Sequence, residues 1–278
     1  MSGFAASWLD LRAPADKRAR DAGLLRRAAG FLAEPAGEGK VVAVDLGCGT
    51  GATLAAFAAA LPDVAKACRW RLVDADPALL AVAAARAEDL GLLAETVRAD
   101  LSDLAAVPLD GSRLVTASAL FDLASADFVE ALAERVAAFG AGLYAALSYD
   151  GSTSFSPSHP LDGIVVAGFN RHQLRPKGLG RGASLGPAAA RRLGAAMTAR
   201  GHAVELADSP WRLGPGDAQL SAAHVAGMAS AVDELGVLDP AGIEAWRRFR
   251  LEAAGAAETV VGHLDLLALP AGSGAGAS

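Results

Sequence analysis

The chain is short of several things, and each shortage excludes something. Only two of its 278 residues are cysteine, Cys48 and Cys68. Two cysteines build neither a disulfide framework nor a metal cluster, and they suit a reduced, cytoplasmic compartment. Aromatic residues make up 5% of the chain and the formal net charge is −6, which argues against a general nucleic-acid binder. No stretch approaches the run of about 18 apolar residues that a membrane span needs. Trp8, Asp10, Arg12 and Asp16 stand where a secretion signal would carry its apolar core. No internal repeat is visible. Acidic residues are missing from 163–204, a segment that holds Arg171, Arg175, Lys177, Arg181, Arg191, Arg192 and Arg200. A cationic segment in an acidic chain invites an anionic partner; the alternative is a solvated loop and helix face.

What is present is most informative at Val41-Val42-Ala43-Val44-Asp45-Leu46-Gly47-Cys48-Gly49-Thr50-Gly51. A short apolar run bounded by glycines is the mark of a buried parallel strand. Here the strand ends on a carboxylate and turns through glycines into an alanine-rich helix, predicted over 51–61. Glycines allow a tight turn and let a ligand approach the backbone. A dinucleotide site places pyrophosphate at this point, and a carboxylate there would repel it. Asp45 suits a ligand with a cationic group.

The rest of the chain alternates strands and helices. Strands are predicted at 69–74, 95–98, 113–117 and 142–148, with helices at 76–90 and 127–139. Asp76-Pro77 opens the first of these helices, Asp76 as its cap, and Gly91 closes it. A helical segment over 5–33 precedes the sheet. A loop over 149–185 follows it, and loops of that length are commonly functional or mobile. A helix at 187–200, strands at 203–206 and 259–269, and two intervening helices at 217–235 and 240–256 complete the chain. Such alternation means a doubly wound α/β sheet with right-handed crossovers. Acids fall in series at the strand ends, Asp45, Asp74 and Asp100, where open α/β sheets bind their ligands.

With Asp45 before Gly47, Gly49 and Gly51, the first motif resembles that of class I S-adenosylmethionine-dependent methyltransferases, and the resemblance extends over about residues 40–125. It implies a mostly parallel seven-stranded sheet whose last strand turns back antiparallel. The N-terminal helix (1–38) would form a cap on a methyltransferase domain (39–270). Within that domain, 149–186 would be a substrate-side loop and 211–257 a helical insertion; 271–278, all Ala, Gly and Ser, would be a disordered tail. It further implies S-adenosylmethionine as cofactor and S-adenosylhomocysteine as product. Asp45, Gly47, Cys48, Gly49 and Gly51 would line the donor, with Asp74 and Ala75 at its ribose, Asp100 and Leu101 at its adenine, and Ser118 at its methionine end. Cys48 reads as a packing residue, not a nucleophile.

Methyl transfer from a sulfonium needs chiefly proximity and alignment, and a base only where the acceptor must lose a proton. Candidate bases are His172, Tyr149 and His159; a mechanism without one is equally open. Asn170, Arg171, Arg175 and Lys177 form a polar cluster suited to holding a carboxylate or phosphate. Arg12 and Arg20 are placed to close over the site from the N-terminal helix. The absence of an Asn-Pro-Pro-Tyr-like run after the fourth strand, where Ala117-Ser118-Ala119-Leu120-Phe121-Asp122 stands instead, disfavours enzymes that methylate nucleobase or glutamine nitrogens. The leading expectation is therefore a cytoplasmic enzyme that methylates a small, anionic metabolite without metal, nucleic acid or membrane. The competing expectations are an NAD-type oxidoreductase, an RNA methyltransferase and a non-catalytic cofactor-binding protein.

Overall fold

The computed structural model describes residues 6–34, 41–253 and 255–272. Parts of the expected N-terminal cap (1–5 and 35–38) and most of the tail (273–278) lie outside the described residues. Eight strands form one sheet: β1 (Val42–Leu46), β2 (Arg69–Asp74), β3 (Leu93–Arg98), β4 (Ser112–Ser118), β5 (Gly142–Ser156), β6 (His202–Asp208), β7 (Trp211–Leu213) and β8 (Glu258–Pro270). Their order is β3-β2-β1-β4-β5-β8-β6, with β7 paired to β8 beyond β6. The five strands β3 to β5 are mutually parallel, and β8 runs antiparallel between β5 and β6. The order reverses between β1 and β4, so the carboxyl ends of these two strands flank the crevice.

The helices are α1 (Ala6–Ala19), α2 (Ala22–Ala33), α3 (Ala52–Ala60), α4 (Pro62–Ala67), α5 (Pro77–Asp89), α6 (Ala126–Ala138), α7 (Asp162–Gln173), α8 (Ala189–Thr198), α9 (Ala218–Leu235) and α10 (Pro240–Ala253). The sheet is buried on both faces, which is why β1 and β4 read as near-continuous apolar runs. One face packs Val44, Leu46, Val115 and Leu143 against Phe128, Leu132 and Leu193 of α6 and α8. The other packs Trp70, Leu72 and Tyr144 against Phe31 and Leu32 of α2 and Phe57 of α3. Phe57 meets both Trp70 and Tyr144 edge-on, at centroid distances of 5.3 and 5.8 Å. Burial of each such side chain contributes about 1.5–3 kcal/mol, which makes this layer the anchor for the site above it. Among the described residues no helix is long and apolar enough to cross a membrane.

Three expectations are corrected. The sheet has eight strands, because Trp211–Leu213 adds a short strand on the far end of β8. The N-terminal segment is two helices: Asp21 caps α2 by accepting from the Leu24 N–H at 2.7 Å, and its own N–H donates to buried Asp265 at 2.9 Å. The stretch 149–185 is largely structured. β5 runs on to Ser156 because β8 pairs it that far, and Asp162–Gln173 is α7, packed on α9 and α10 through Val165, Val225, Val232 and Trp246. Asp162 ties this insertion together by accepting from Trp246 and Arg250.

Candidate cofactor and acceptor site

The first corner of the site is the glycine turn between β1 and α3. Gly47 and Gly49 have φ of +59° and +53°, a region that L side chains enter at a cost of about 1–2 kcal/mol. A Cβ on Gly49 would also fall 3.1 Å from Leu9 of α1, and one on Gly47 would fall 3.2 Å from Leu120 and 3.8 Å from Leu101. Leu9, Leu101 and Leu120 therefore wall the turn. Cys48 is buried there with its thiol against the Gly49 carbonyl, and burial pushes that thiol up, away from nucleophilic use.

Asp45 lies beneath the turn, only 1% exposed. Its Oδ1 accepts from the Thr116 hydroxyl of β4 at 2.8 Å. Its Oδ2 is buried without a hydrogen-bond partner among the described residues. Burial raises this carboxyl to about 7, against the pull of the Thr116 hydroxyl, the Arg20 charge and the Thr53 hydroxyl. Asp74, at the end of β2, accepts the Gly49 N–H at 2.9 Å and the Asp76 N–H at 3.0 Å, so it braces the turn from the side. Asp76 caps α5 by accepting from Ala78 N–H. Ala75 links the two acids. Asp100 is exposed past β3, where the Ser102 N–H it accepts at 2.9 Å holds its carboxyl below the usual range; Leu101 beside it is buried.

The opposite corner is made by Arg20, just past α1. It is buried, donates through Nη2 to Ser118 Oγ at the end of β4 (3.1 Å), and sits 5.9 Å from the Tyr144 ring centre. Burial opposes its charge, but Tyr144, Asp265 and Asp16 outweigh that and raise its pKa. Its Nη1 is buried with no partner among the described residues. Asp265, fully buried, anchors this corner by accepting from Asp21 N–H (2.9 Å), Tyr144 OH (3.1 Å) and Leu147 N–H (2.8 Å). Asp45 thus keeps a buried oxygen, and Arg20 a buried nitrogen, without a hydrogen-bond partner among the described residues. Asp265, in an apolar strand, gave no local signal in the sequence.

The acceptor-side candidates are scattered. Tyr149, buried at the end of the parallel part of β5, donates to Asn170 Oδ1 at 2.9 Å, and Asn170 donates to the Gly151 carbonyl at 2.8 Å. Burial pushes the Tyr149 hydroxyl up to about 12. His172 and Arg175 both reach Glu234 of α9, at 3.0 and 2.8 Å, and Arg171 is exposed on the same helix, α7. His159 stacks on Phe249 of α10 at 4.9 Å. The contacts of both histidines are to the insertion, not to the glycine turn. Arg200 pairs with Glu130, so two of the seven cations of the acid-free segment, Arg175 and Arg200, are paired with acids from elsewhere. Lys177 is held at the segment past β4: its N–H donates to Ser184 Oγ, which donates to the Leu123 carbonyl.

A second set of groups lies near α1, around Arg12; its other members, Trp211, His224 and His263, were not picked out in the sequence. Arg12 pairs with Asp16 (2.8 Å) and lies over Trp211, whose indole N–H also donates to Asp16 (2.8 Å). His263 and His224 flank that ring, and burial lowers them to about 3 and about 4, so both are neutral at ordinary pH. An open cavity of about 610 Å³ lies beyond, bordered by Arg18, Asp150, Ser152, Asp208 and Arg212; it does not touch the glycine turn.

The strand order, the reversed β8, and an acid–glycine turn flanked by a second acid at the end of β2 define the class I methyltransferase fold. Residues 43–140 match the family model described as a methyltransferase domain. The matched segment is a methyltransferase domain, set in a sheet with the strand order of the class I, S-adenosylmethionine-dependent methyltransferase fold. Among solved structures it is similar to the YcgJ protein of Bacillus subtilis (16% identity, 90% of this chain and 99% of that one, TM-score 0.48). It is also similar to a putative methyltransferase of Bacillus halodurans C-125 (15%, 88% and 98%, 0.48). A third is a methyltransferase of Geobacter sulfurreducens in complex with S-adenosyl-L-homocysteine (16%, 88% and 90%, 0.43). At these scores the assignment rests on the strand order and the domain match, not on the likenesses. No curated protein matches the sequence.

Proposed function

We propose that the protein binds S-adenosylmethionine with the amino-acid end between Asp45 and Arg20 and transfers its methyl group to a small-molecule acceptor. The observation that carries this reading is the pair of unpartnered buried atoms, Asp45 Oδ2 and Arg20 Nη1. Left unmade, such bonds are expensive; a ligand with an ammonium and a carboxylate on one carbon satisfies both. Asp74 keeps lone pairs beyond the two it gives to backbone N–H groups, and these suit ribose hydroxyls. Leu101 offers an apolar wall to the base, with Asp100 at the rim. The donor's sulfonium supplies an activated methyl group; the protein's task is to align it with the acceptor and exclude water.

The acceptor in this reading is a small molecule with an anionic group held by Lys177, whose N–H is tied through the Ser184 hydroxyl to the Leu123 carbonyl past β4. Arg171, Arg175 and Asn170 are less suited to that role, because α7 directs them to its own surface, to Glu234 and to Tyr149. An NAD-type site is disfavoured by buried Asp45 where pyrophosphate would lie.

Calorimetric titration with S-adenosylhomocysteine, 5′-methylthioadenosine and NADH tests the reading. Methylthioadenosine keeps the nucleoside but lacks the amino-acid end. Two charge-assisted contacts predict that S-adenosylhomocysteine binds at least about 10-fold tighter. Equal affinities would remove the Asp45–Arg20 assignment, and preference for NADH would remove the class of cofactor.

A further inference from the structure

Asp265 is a fully buried carboxylate in an apolar strand, and each of its hydrogen bonds takes up a donor that the fold leaves over. β5 bulges opposite it. Ala145 pairs with Leu266 and Ser148 with Leu264, so Ala146 and Leu147 stand against Asp265 alone. Leu147 is left-handed there (φ +57°), and its N–H donates to Asp265 Oδ1 at 2.8 Å. Asp21, extended before α2, donates its N–H to Oδ2 at 2.9 Å. The hydroxyl of buried Tyr144 donates to the same oxygen at 3.1 Å.

All three donors lead to Arg20. The Asp21 N–H belongs to the Arg20–Asp21 peptide, so its bond fixes the backbone of Arg20 itself. Tyr144 lies beside the guanidinium, with Arg20 Cζ 5.9 Å from the ring centre. Its single hydroxyl proton goes to Asp265, so the phenol oxygen keeps only lone pairs toward the cation. Leu147 follows Ala146, whose carbonyl accepts the Ala119 N–H at 2.9 Å. Ala119 directly follows Ser118, whose hydroxyl accepts from Arg20 Nη2 at 3.1 Å.

Backbone strain and charge mark the same place. Ala119 (φ +50°) and Leu147 are the two left-handed non-glycine residues among the described residues, and both stand at the carboxyl ends of β4 and β5. Residues so strained persist where their surroundings over-determine them, and they gather at functional sites. Arg20 is buried but forms no ion pair within 4.0 Å among the described residues. A buried guanidinium needs an opposing charge nearby, and Asp265 supplies one across Tyr144.

Resting on the methyltransferase reading, we propose that Asp265 is a positioning residue for the methyl donor. It holds the Arg20 guanidinium with one nitrogen on Ser118 and the other, Nη1, presented to the carboxylate of S-adenosylmethionine. It touches neither substrate and takes no proton. The last strand of the sheet thereby acts on the donor through Asp21, Tyr144 and the end of β5. Arg20 held in this way meets the carboxylate without first being ordered, and the gain falls on the amino-acid end of the donor.

The test titrates S-adenosylhomocysteine and 5′-methylthioadenosine into the full chain, as wild type, Tyr144→Phe and Asp265→Asn. Phenylalanine keeps the ring packed on Phe57 and removes only the hydroxyl, so Tyr144→Phe should weaken S-adenosylhomocysteine about 3–10-fold. Asp265→Asn removes the charge and turns one oxygen into a donor, and should weaken it at least about 10-fold. Methylthioadenosine should change by less than about twofold in both. A carboxylate that served the fold alone would move both ligands together or neither. Either result in Tyr144→Phe would overturn the assignment, and that variant suffices if Asp265→Asn does not fold. A second measurement needs no ligand: nitrogen NMR of the arginine guanidinium groups. The signal missing from Arg20→Lys should show slower rotation about its Cζ–Nη bonds in wild type than in Tyr144→Phe. Equal rotation in the two would overturn the assignment. Equal affinity of the wild type for the two ligands would instead remove the donor reading beneath it.

Discussion

Arg20→Lys separates the two ends of the donor. Arg20 spends one nitrogen on Ser118 and leaves another buried without a partner among the described residues. Lysine keeps the charge but is a point donor, without the planar fork that can hold Ser118 and a ligand carboxylate together. Losing one charge-assisted contact of about 1.5–3 kcal/mol predicts about 10–100-fold weaker binding of S-adenosylhomocysteine. Methylthioadenosine has no carboxylate to lose, so its affinity should change by less than about twofold. The wild-type preference between the two ligands should therefore shrink by the factor that S-adenosylhomocysteine loses. Alanine is the poorer test, because stripping the charge from Asp265, Tyr144 and Asp16 risks about 3–5 kcal/mol of stability. Calorimetry on both proteins, with urea unfolding as a control for folding, reads the effect. Equal losses for the two ligands, or unchanged S-adenosylhomocysteine affinity, would refute the reasoning.

Other consequences concern the acids and the turn. Asp45 has a folded pKa of about 7 against an ordinary 3.8, so the folded state holds the extra proton in that window and loses stability as pH rises through it. Asp45→Asn should be more stable than wild type by up to about 4 kcal/mol above that window, with no advantage below it, in urea unfolding across pH. The same variant should bind S-adenosylhomocysteine more weakly; a stability difference independent of pH would contradict the buried-charge account. Asp265→Ala leaves three buried donors unpaired and should lose about 3–5 kcal/mol, read as a lower urea midpoint, whereas a loss below about 1 kcal/mol would show that α2 is not anchored there. Gly49→Ala forces a Cβ into a left-handed residue beside Leu9 and should lose about 1–2 kcal/mol along with donor affinity, measured by thermal shift with and without ligand.

The parts of the fold written in local pattern were legible. Val42–Leu46 and Ser112–Ser118 announced themselves as buried strands because both faces are covered, and Asp76-Pro77 announced a helix start. The acids at the ends of the first strands were legible for the same reason: each interrupts an apolar run. What depended on pairing across the sheet was not. Nothing in Tyr149-Asp150-Gly151-Ser152-Thr153 marks a strand; β8 makes it one. α7 carries Gly163 and Gly168, which weaken the helix signal, and Gly168 is needed where a Cβ would fall 3.0 Å from Val232 of α9.

The most direct test of the account is the crystal structure of the S-adenosylhomocysteine complex. The account places the ligand's ammonium within hydrogen-bond distance of Asp45 Oδ2, its carboxylate on Arg20 Nη1 and its ribose hydroxyls on Asp74. A ligand whose amino-acid end turns away from both Asp45 and Arg20, or whose nucleoside lies in the cavity between Arg18 and Arg212, would contradict it.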